Sequence, residues 1–355
     1  MSNNTIADEL ATRPALFNPN AERAMAFSKT CPQYVPTQLL CVEDQGEALL
    51  IKDESTRYGL GSFKALGGIY AVAQLLLEHV QEEGEKLGLD DLFSERVREF
   101  ASTQTYVCAS AGNHGMAVAT GARLFGANAR IYVSTEVPPS FAERLRERGA
   151  EACVSGANYE QSLEAANEDV KHSNAVLLAD GSWEGYVYPP GLVMEGYTVL
   201  ATELFDEFSA SDQWPSDVYL QAGVGGMAAA VTIMIRRHWL VQPRIVVVEP
   251  DAADCLALSA AKGQLVEASG PVSSMGRLDC KAASMLAWDT LVRSNVEYAI
   301  ITDEQAEAAV LALEALGLNT TPSGAAGLAA LHQDRAEGRS VGKRPLIVMS
   351  EQAIG

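Results

Sequence analysis

The sequence predicts an α/β protein of two three-layer units, each a mostly parallel sheet covered by helices on both faces, and three observations lead there. Between about residues 105 and 180, apolar runs of strand length alternate with segments whose apolar residues recur at helical spacing. The same alternation resumes at residue 217 and continues to a last apolar run at 345–349. Strands that alternate with helices pair in parallel, and a parallel sheet is buried on both faces. A strand and a helix before residue 78 belong with the later set. A small, mobile unit of residues 76–189 is therefore nested between the two pieces of a large one, residues 1–75 and 190–355.

In chain order, residues 1–45 carry Pro14, Pro19, Pro32 and Pro36 and are expected to wrap over the surface. Glu47–Lys52 reads as a buried strand, stopped by Asp53-Glu54-Ser55. Leu66, Ile69, Tyr70, Val72, Ala73 and Leu75–Leu77 repeat at helical spacing, which puts Lys64 near a helix start. The charged stretch 82–99 reads as a solvated excursion. Strands are expected at 105–110, 129–134, 152–154 and 175–180, with helices at 116–124, 140–148 and 159–172 between them. Further strands at 217–222 and 244–250 flank a helix ending near His238, and helices at 303–316 and 323–332 precede the strand Pro345–Met349.

A chain of 355 residues can bury a large core. Its formal net charge of −20, from 46 acidic and 26 basic residues, leaves no basic patch for a phosphate backbone and argues against nucleic acid as a partner. Met1–Glu9 lacks the basic-then-apolar order of a secretion signal, and no apolar run reaches membrane-spanning length. A soluble, cytoplasmic protein with no membrane partner is expected. Cys31, Cys41, Cys108, Cys153, Cys255 and Cys280 form no C-x-x-C pair and read as buried thiols, not as a zinc site or disulfide framework.

Three stretches carry chemistry. Lys64 sits in Gly61-Ser62-Phe63-Lys64-Ala65-Leu66-Gly67-Gly68 with no carboxylate beside it. Apolar surroundings disfavour the charged amine, so its pKa is expected to fall and the amine to attack a carbonyl; the alternative is an ordinary solvated lysine. Gly223-Val224-Gly225-Gly226-Met227 follows a strand and opens a helix, where backbone N–H groups and the helix dipole suit a phosphate. The alternative there is a tight turn and nothing more. A dinucleotide fold fits less well, because the third glycine of G-x-G-x-x-G is Ala228, although Glu249 ends the next strand. Ser110-Ala111-Gly112-Asn113-His114-Gly115 also lies between strand and helix: the Asn113 amide suits a phenolic or carbonyl oxygen, and free N–H groups suit a carboxylate. His114 reads either as a catalytic group or as a packing or capping residue. Glu249, Asp251 and Asp254 read as a solvated acidic loop.

Ser62-Phe63-Lys64, Ser110–Gly115, Gly223–Gly226 and Ser350 after the last buried strand span almost the whole chain in a fixed order. Together they resemble the pyridoxal-phosphate (PLP) enzymes of the tryptophan-synthase-β type, fold type II, which include threonine dehydratase, serine racemase and cysteine synthase. Lys52-Asp53-Glu54-Ser55 with Arg57 and Gly59–Gly68, Asp180 with Trp183–Tyr186, Gly196-Tyr197, and Leu278–Cys280 with Ser284, Ala287 and Trp288 are similar to the diaminopropionate ammonia-lyase branch.

That resemblance implies PLP in a cleft between the two units, attached to Lys64. Phe63, Asn113, Gly223, Val224, Gly225, Gly226, Met227 and Ser350 would bind the cofactor, with Asn113 on its phenolic oxygen, the glycines on its phosphate and Ser350 on its pyridine nitrogen. Ser110, Ala111, Gly112, His114 and Asp180 would surround the substrate, Lys64 and Asp180 would be catalytic, no residue is assigned to a metal and the enzyme would be a homodimer. The implied reaction is β-elimination from a small β-substituted amino acid, giving a 2-oxo acid and ammonia. Diaminopropionate is the first substrate implied, and serine, threonine or 3-hydroxyaspartate the second. A β-replacement synthase or a non-catalytic PLP-binding relative comes third. A neutral hydroxyl at Ser350 stabilises a pyridinium less than a carboxylate would, which favours elimination over transamination. Ala111 departs from the branch, which typically carries Asp there, as serine racemase carries Ser. Alanine moves no proton, so selectivity for an L-substrate is expected. Asp180 either holds a substrate ammonium and assists proton transfer, or caps a turn. Glu249, Asp251 and Asp254 resemble only incompletely, in spacing, a cation site of some enzymes of this type.

Overall fold

The computed structural model of the protein describes residues 13–82, 84 and 87–353. Met1–Glu9 and, within the charged excursion, Glu83, Glu85 and Lys86 lie outside the described residues. Strands β1 (Leu39–Asp44) and β2 (Glu47–Asp53) form an antiparallel hairpin turned by Gln45 and Gly46 at φ 54° and 81°. Positive φ at both turn residues matches the twist of the flanking strands. Beside β2 lie, all parallel, β10 (Pro345–Met349), β7 (Asp217–Gln221), β8 (Arg244–Pro250) and β9 (Glu297–Ile301), which completes a six-stranded sheet. A second, all-parallel sheet has four strands in the order β5 (Glu151–Val154), β4 (Asn128–Val133), β3 (Thr105–Ala109), β6 (Val176–Leu177).

The helices are α1 (Ala21–Thr30), α2 (Lys64–Glu82), α3 (Glu95–Ala101), α4 (Asn113–Phe125), α5 (Pro139–Glu147), α6 (Tyr159–His172), α7 (Tyr188–Ser211), α8 (Gly226–His238), α9 (Cys255–Lys262), α10 (Met285–Val292), α11 (Asp303–Ala315) and α12 (Pro322–Ala336). Strand alternation divides the large sheet between two cores. Leu346 and Val348 face the core shared with α2, α7 and α8, while Ile347 and Met349 face the one built with α11 and α12. On the small sheet, Val107 and Leu177 meet Ala166 of α6, and Tyr106 and Cys108 join the core that contains α2 and α4.

One helix thus runs through both units, and small residues let it. A Cβ on Gly67 would stand 2.5 Å from the Val193 carbonyl of α7, and one on Gly68 would stand 2.6 Å from Ala117 Cβ of α4. Such spacing brings backbones closer than side chains allow.

Several expectations need correction. Residues 1–45 do not merely wrap the surface: α1 buries Ala24, Met25 and Phe27, and β1 pairs along its whole length. The excursion before residue 100 holds a helix, α3, whose Val97 and Ala101 are buried. The strand expected at 175–180 ends at Leu177, because side chains take over the backbone beyond it: a ring nitrogen of His114 meets the Leu178 carbonyl at 2.8 Å, and the Tyr186 hydroxyl accepts the Ala179 N–H at 3.0 Å. Glu249 is no part of a solvated loop. It is buried and accepts the Leu256 and Ala257 N–H groups at 2.8 Å each, at the start of α9, and burial pushes its carboxyl up to about 7.

A buried charge cluster fixes the segment leading to α2. Arg57 donates to Glu54 at 2.7 and 2.8 Å and to Glu203 of α7 at 2.7 and 2.8 Å, while Lys52 of β2 donates to Glu203 at 2.6 Å. All four side chains are buried. Removing one partner of such a network leaves charge without compensation. Glu203→Ala is expected to lower unfolding stability by roughly 3 kcal/mol or more, read by denaturant titration; a loss below about 1 kcal/mol would contradict this role for the cluster.

Candidate functional site

The segment between the charge cluster and α2 is irregular, with Tyr58, Gly59 and Gly61 all at positive φ. Ser62 then bridges to Glu351 beyond β10, and the Phe63 N–H donates to the Ser350 carbonyl at 3.1 Å. This pins the chain at the C-terminal edge of the large sheet, one residue before Lys64 opens α2. The Lys64 ammonium is ion-paired with Asp180, from the loop after β6, and each of the two side chains is 20% exposed. The ammonium also stands 5.5 Å from the centre of the Phe63 ring.

The expected fall in the Lys64 pKa is not what this environment produces. Burial pushes it down, but the charge and hydrogen bond of the Asp180 carboxylate, 116 residues away in sequence, together with Tyr197 and Cys280 outweigh burial and hold the amine well above the usual lysine value. Asp180 shows the counterpart: burial pushes its carboxyl up, and the charge and hydrogen bond of Lys64, with His114 and a backbone N–H, together more than reverse this and hold it below the usual range. Aspartate contributes stability above its ordinary pKa and lysine below its own. The pair therefore stabilises the fold from roughly pH 4 to pH 10, and that contribution fades as pH falls below or rises above this window.

The glycine turn lies against the same residues. Gly225, at φ +95°, is the N-cap of α8 and supplies no side chain, so the first N–H groups of that helix have no side-chain acceptor. A Cβ on Gly225 would approach Leu256 to 2.8 Å, and one on Gly223 would stand 3.0 Å from the Cys280 sulfur. At both positions a side chain would collide with its packed neighbours, and the positive φ at Gly225 favours glycine as well. The Val224 side chain faces Gly181, next to Asp180, and Met227 is buried in α8. Tyr197 of α7 packs edge-on to Phe63 at 5.0 Å, lies 3.5 Å from where a Gly226 Cβ would be, and buries a hydroxyl without a partner among the described residues.

Across the cleft, Ser110 folds its own loop: its hydroxyl accepts the Gly112 N–H at 3.2 Å and the Gly115 N–H at 3.0 Å. Asn113 opens α4, and its amide donates to the Glu351 carboxylate. Arg277 donates to the Ala111 carbonyl at 3.1 Å, its guanidinium lies against Gly112, and its Nε is 3.7 Å from the same Glu351. His114 is buried, and burial lowers its pKa, so the ring is neutral. Ser350 is buried at the end of β10.

The structure thus brings Lys64, Asp180, the glycine turn and the Ser110–Asn113 loop together, with the Ser350 carbonyl bonded to the Phe63 N–H next to Lys64 and His114 turned inward to Leu178. Sequence reasoning does not find Arg277 or Glu351. Glu351 had a signal, an acid directly after a buried strand; Arg277 sits in a loop that offers none.

A family model described as pyridoxal-phosphate dependent enzyme matches residues 32–351. The diaminopropionate ammonia-lyase of Escherichia coli (strain K12) is 32% identical over 313 residues, covering 86% of this chain and 77% of that protein. A probable D-serine dehydratase of Sinorhizobium medicae is 28% identical over 284 residues, covering 76% of this chain and 63% of that protein. The crystal structure of the E. coli diaminopropionate ammonia-lyase in complex with D-serine superposes with a TM-score of 0.81 at 27% identity, covering 95% of this chain and 92% of that one.

The ion pair makes a prediction of its own. Asp180→Asn is expected to lower, by about one pH unit or more, the pH at which Lys64 reacts with an added aldehyde, measured by peptide mass mapping. An unchanged profile would show that Asp180 does not control the amine.

Proposed function

The chain belongs to the family of pyridoxal-phosphate dependent enzymes, and on that premise we propose that it catalyses β-elimination from a small β-substituted amino acid, with 2,3-diaminopropionate as the first substrate to test. The observation that carries this reading is the meeting of Lys64 and Asp180 beside a side-chain-free helix N-terminus.

The residues fit PLP. The first N–H groups of α8 have no side-chain acceptor, because the N-cap is Gly225, and the orphan Tyr197 hydroxyl beside Gly226 is a buried polar group in want of a partner. Lys64 would hold the aldehyde carbon, Gly223–Met227 the phosphate, Asn113 the phenolic oxygen, Ser350 the ring nitrogen and Phe63 one flank. When bound, PLP draws electrons from the substrate's Cα and so eases loss of its proton.

This chain's own groups do the rest. The Lys64 amine, freed of its charge, takes the Cα proton; a β-ammonium then leaves as ammonia with the C–N electron pair, whereas a β-hydroxyl takes that proton and leaves as water. Burial pushes the Asp180 carboxyl up, and only a neighbouring cation, Lys64 in the free protein, holds it below the usual range, so Asp180 binds a cation rather than donating a proton. Where Lys64 gives up its charge, the distal ammonium of diaminopropionate takes its place. The released enamine then adds water, giving a 2-oxo acid and ammonia. The first N–H groups of α4, at Asn113 and His114, offer backbone donors for the substrate carboxylate, while the Ser110 hydroxyl holds the loop by accepting the Gly112 and Gly115 N–H groups and the buried His114 ring supports it at the Leu178 carbonyl. Closure of residues 76–189 over the substrate excludes water. A cytoplasmic homodimer belongs to this reading by family analogy alone.

A second reading, loss of hydroxide from serine, threonine or 3-hydroxyaspartate, is favoured by Ala111 and by Arg277, whose cation beside Ala111 and Gly112 suits a dicarboxylate. A panel of these amino acids, assayed for ammonia and 2-oxo acid with PLP present, ranks the readings. Lys64→Ala is expected to lower turnover about a thousandfold, and no release from any member by the wild type would overturn the proposal. Ala111 offers no proton on the face opposite Lys64, so the L-isomer is expected to turn over at least about a hundredfold faster than the D-isomer. Equal rates would refute that selectivity.

A further inference from the structure

The role of Glu351 is left open by the reading above, on which this inference rests. We infer that Glu351 is a positioning residue: from the large sheet it holds the Asn113 amide with its nitrogen end fixed, so that Asn113 presents a donor to the cofactor's phenolic oxygen.

Glu351 is built as a fixed post. It follows Ser350 directly, its backbone bridges Ser62, and its carbonyl accepts the Thr320 hydroxyl, so the chain is held on both sides. Its side chain is buried at 3% exposure, and its carboxylate accepts the Asn113 amide N–H and the Thr321 hydroxyl, with Arg277 Nε at 3.7 Å. Thr321 and Arg277 belong to the large unit; Asn113 is the first residue of α4, which packs on the small sheet. The bond from Asn113 to Glu351 therefore crosses the cleft.

The chemistry follows from the symmetry of an amide side chain. Asparagine offers an acceptor at one end and two donors at the other, and the two ends have nearly the same shape. A carboxylate repels the oxygen end and attracts the nitrogen end, so Glu351 settles the orientation. One N–H is engaged, and the second, on the same nitrogen, is left to donate. An anionic oxygen needs such a donor, and a reversed amide would set two oxygens against each other. Burial raises the Glu351 pKa above the usual carboxylate value, and Thr321, Arg277, Asn113 and Lys64 oppose the rise without cancelling it; the first three of these groups are the ones that contact the carboxyl.

A plain structural tie between the units would stabilise the fold without singling out the cofactor. The two are separated by titrating the full-length protein, freed of PLP, with PLP and reading both the dissociation constant and the position of the visible absorption band. Glu351→Gln can present its own N–H and turn the Asn113 amide over; it is expected to weaken PLP binding about tenfold and to shift the band. Glu351→Asp keeps the carboxylate and is expected to recover part of both, and it serves as the probe should the Gln variant not fold. In an Asn113→Ala background, Glu351→Gln is expected to add less than about twofold. Wild-type affinity and band in Glu351→Gln, or a full tenfold effect without Asn113, would overturn the inference. Absence of any band in the wild type with PLP is a different result, which overturns the proposed function instead.

Discussion

The rest of the site depends on one ion pair between a lysine that opens a helix of the large unit and an aspartate in a loop of the small one. Burial alone would discharge both groups. Together they stay charged, and each holds the other's pKa away from where an apolar pocket would push it. Much of the surrounding structure keeps these two side chains in reach. The early end of β6 turns Asp180 inward, Tyr186 fixes that turn, and the bridge from Ser62 to Glu351 fixes the approach to Lys64. A carboxylate poised in this way demands a cation, and this is the physical reason to look for a substrate that brings one.

Two features give the pair a rigid frame. The glycine-lined crossings of α2 with α4 and α7 join the small and large units in one continuous core. The Lys52, Glu54, Arg57 and Glu203 cluster ties the strand before the site to the longest helix of the chain. Such a buried network is a weak source of net stability and a strong source of position, because its members tolerate only one arrangement. The irregular segment it anchors ends at Lys64.

Most of the sheet strands, the start of α2 at Lys64 and the glycine turn before α8 are legible in the sequence, because buried parallel strands are short apolar runs and the turns between them need glycine or polar residues. Helix α7 is not, although it spans 24 residues. It is buried nearly all round, so no polar stripe marks its period, and Pro189, Pro190, Gly191 and Gly196 interrupt its pattern. Strand β1 hides among prolines that suggest a wandering chain. The direction of the Lys64 pKa is illegible for another reason: its determinant is not a neighbour in sequence, and an apolar context read locally predicts the opposite sign. Glu351 shows a third kind of limit, since a strand-end acid announces burial but not the amide it meets across the cleft.

The central claim is that the Lys64 amine is the point of attachment for PLP. Borohydride reduction of the protein incubated with PLP, followed by peptide mass mapping, tests it most directly. The pyridoxyl mass is expected on the peptide carrying Lys64 and on no other lysine; a Lys64 that stays unmodified while PLP is bound would show that the cofactor is attached elsewhere or not at all.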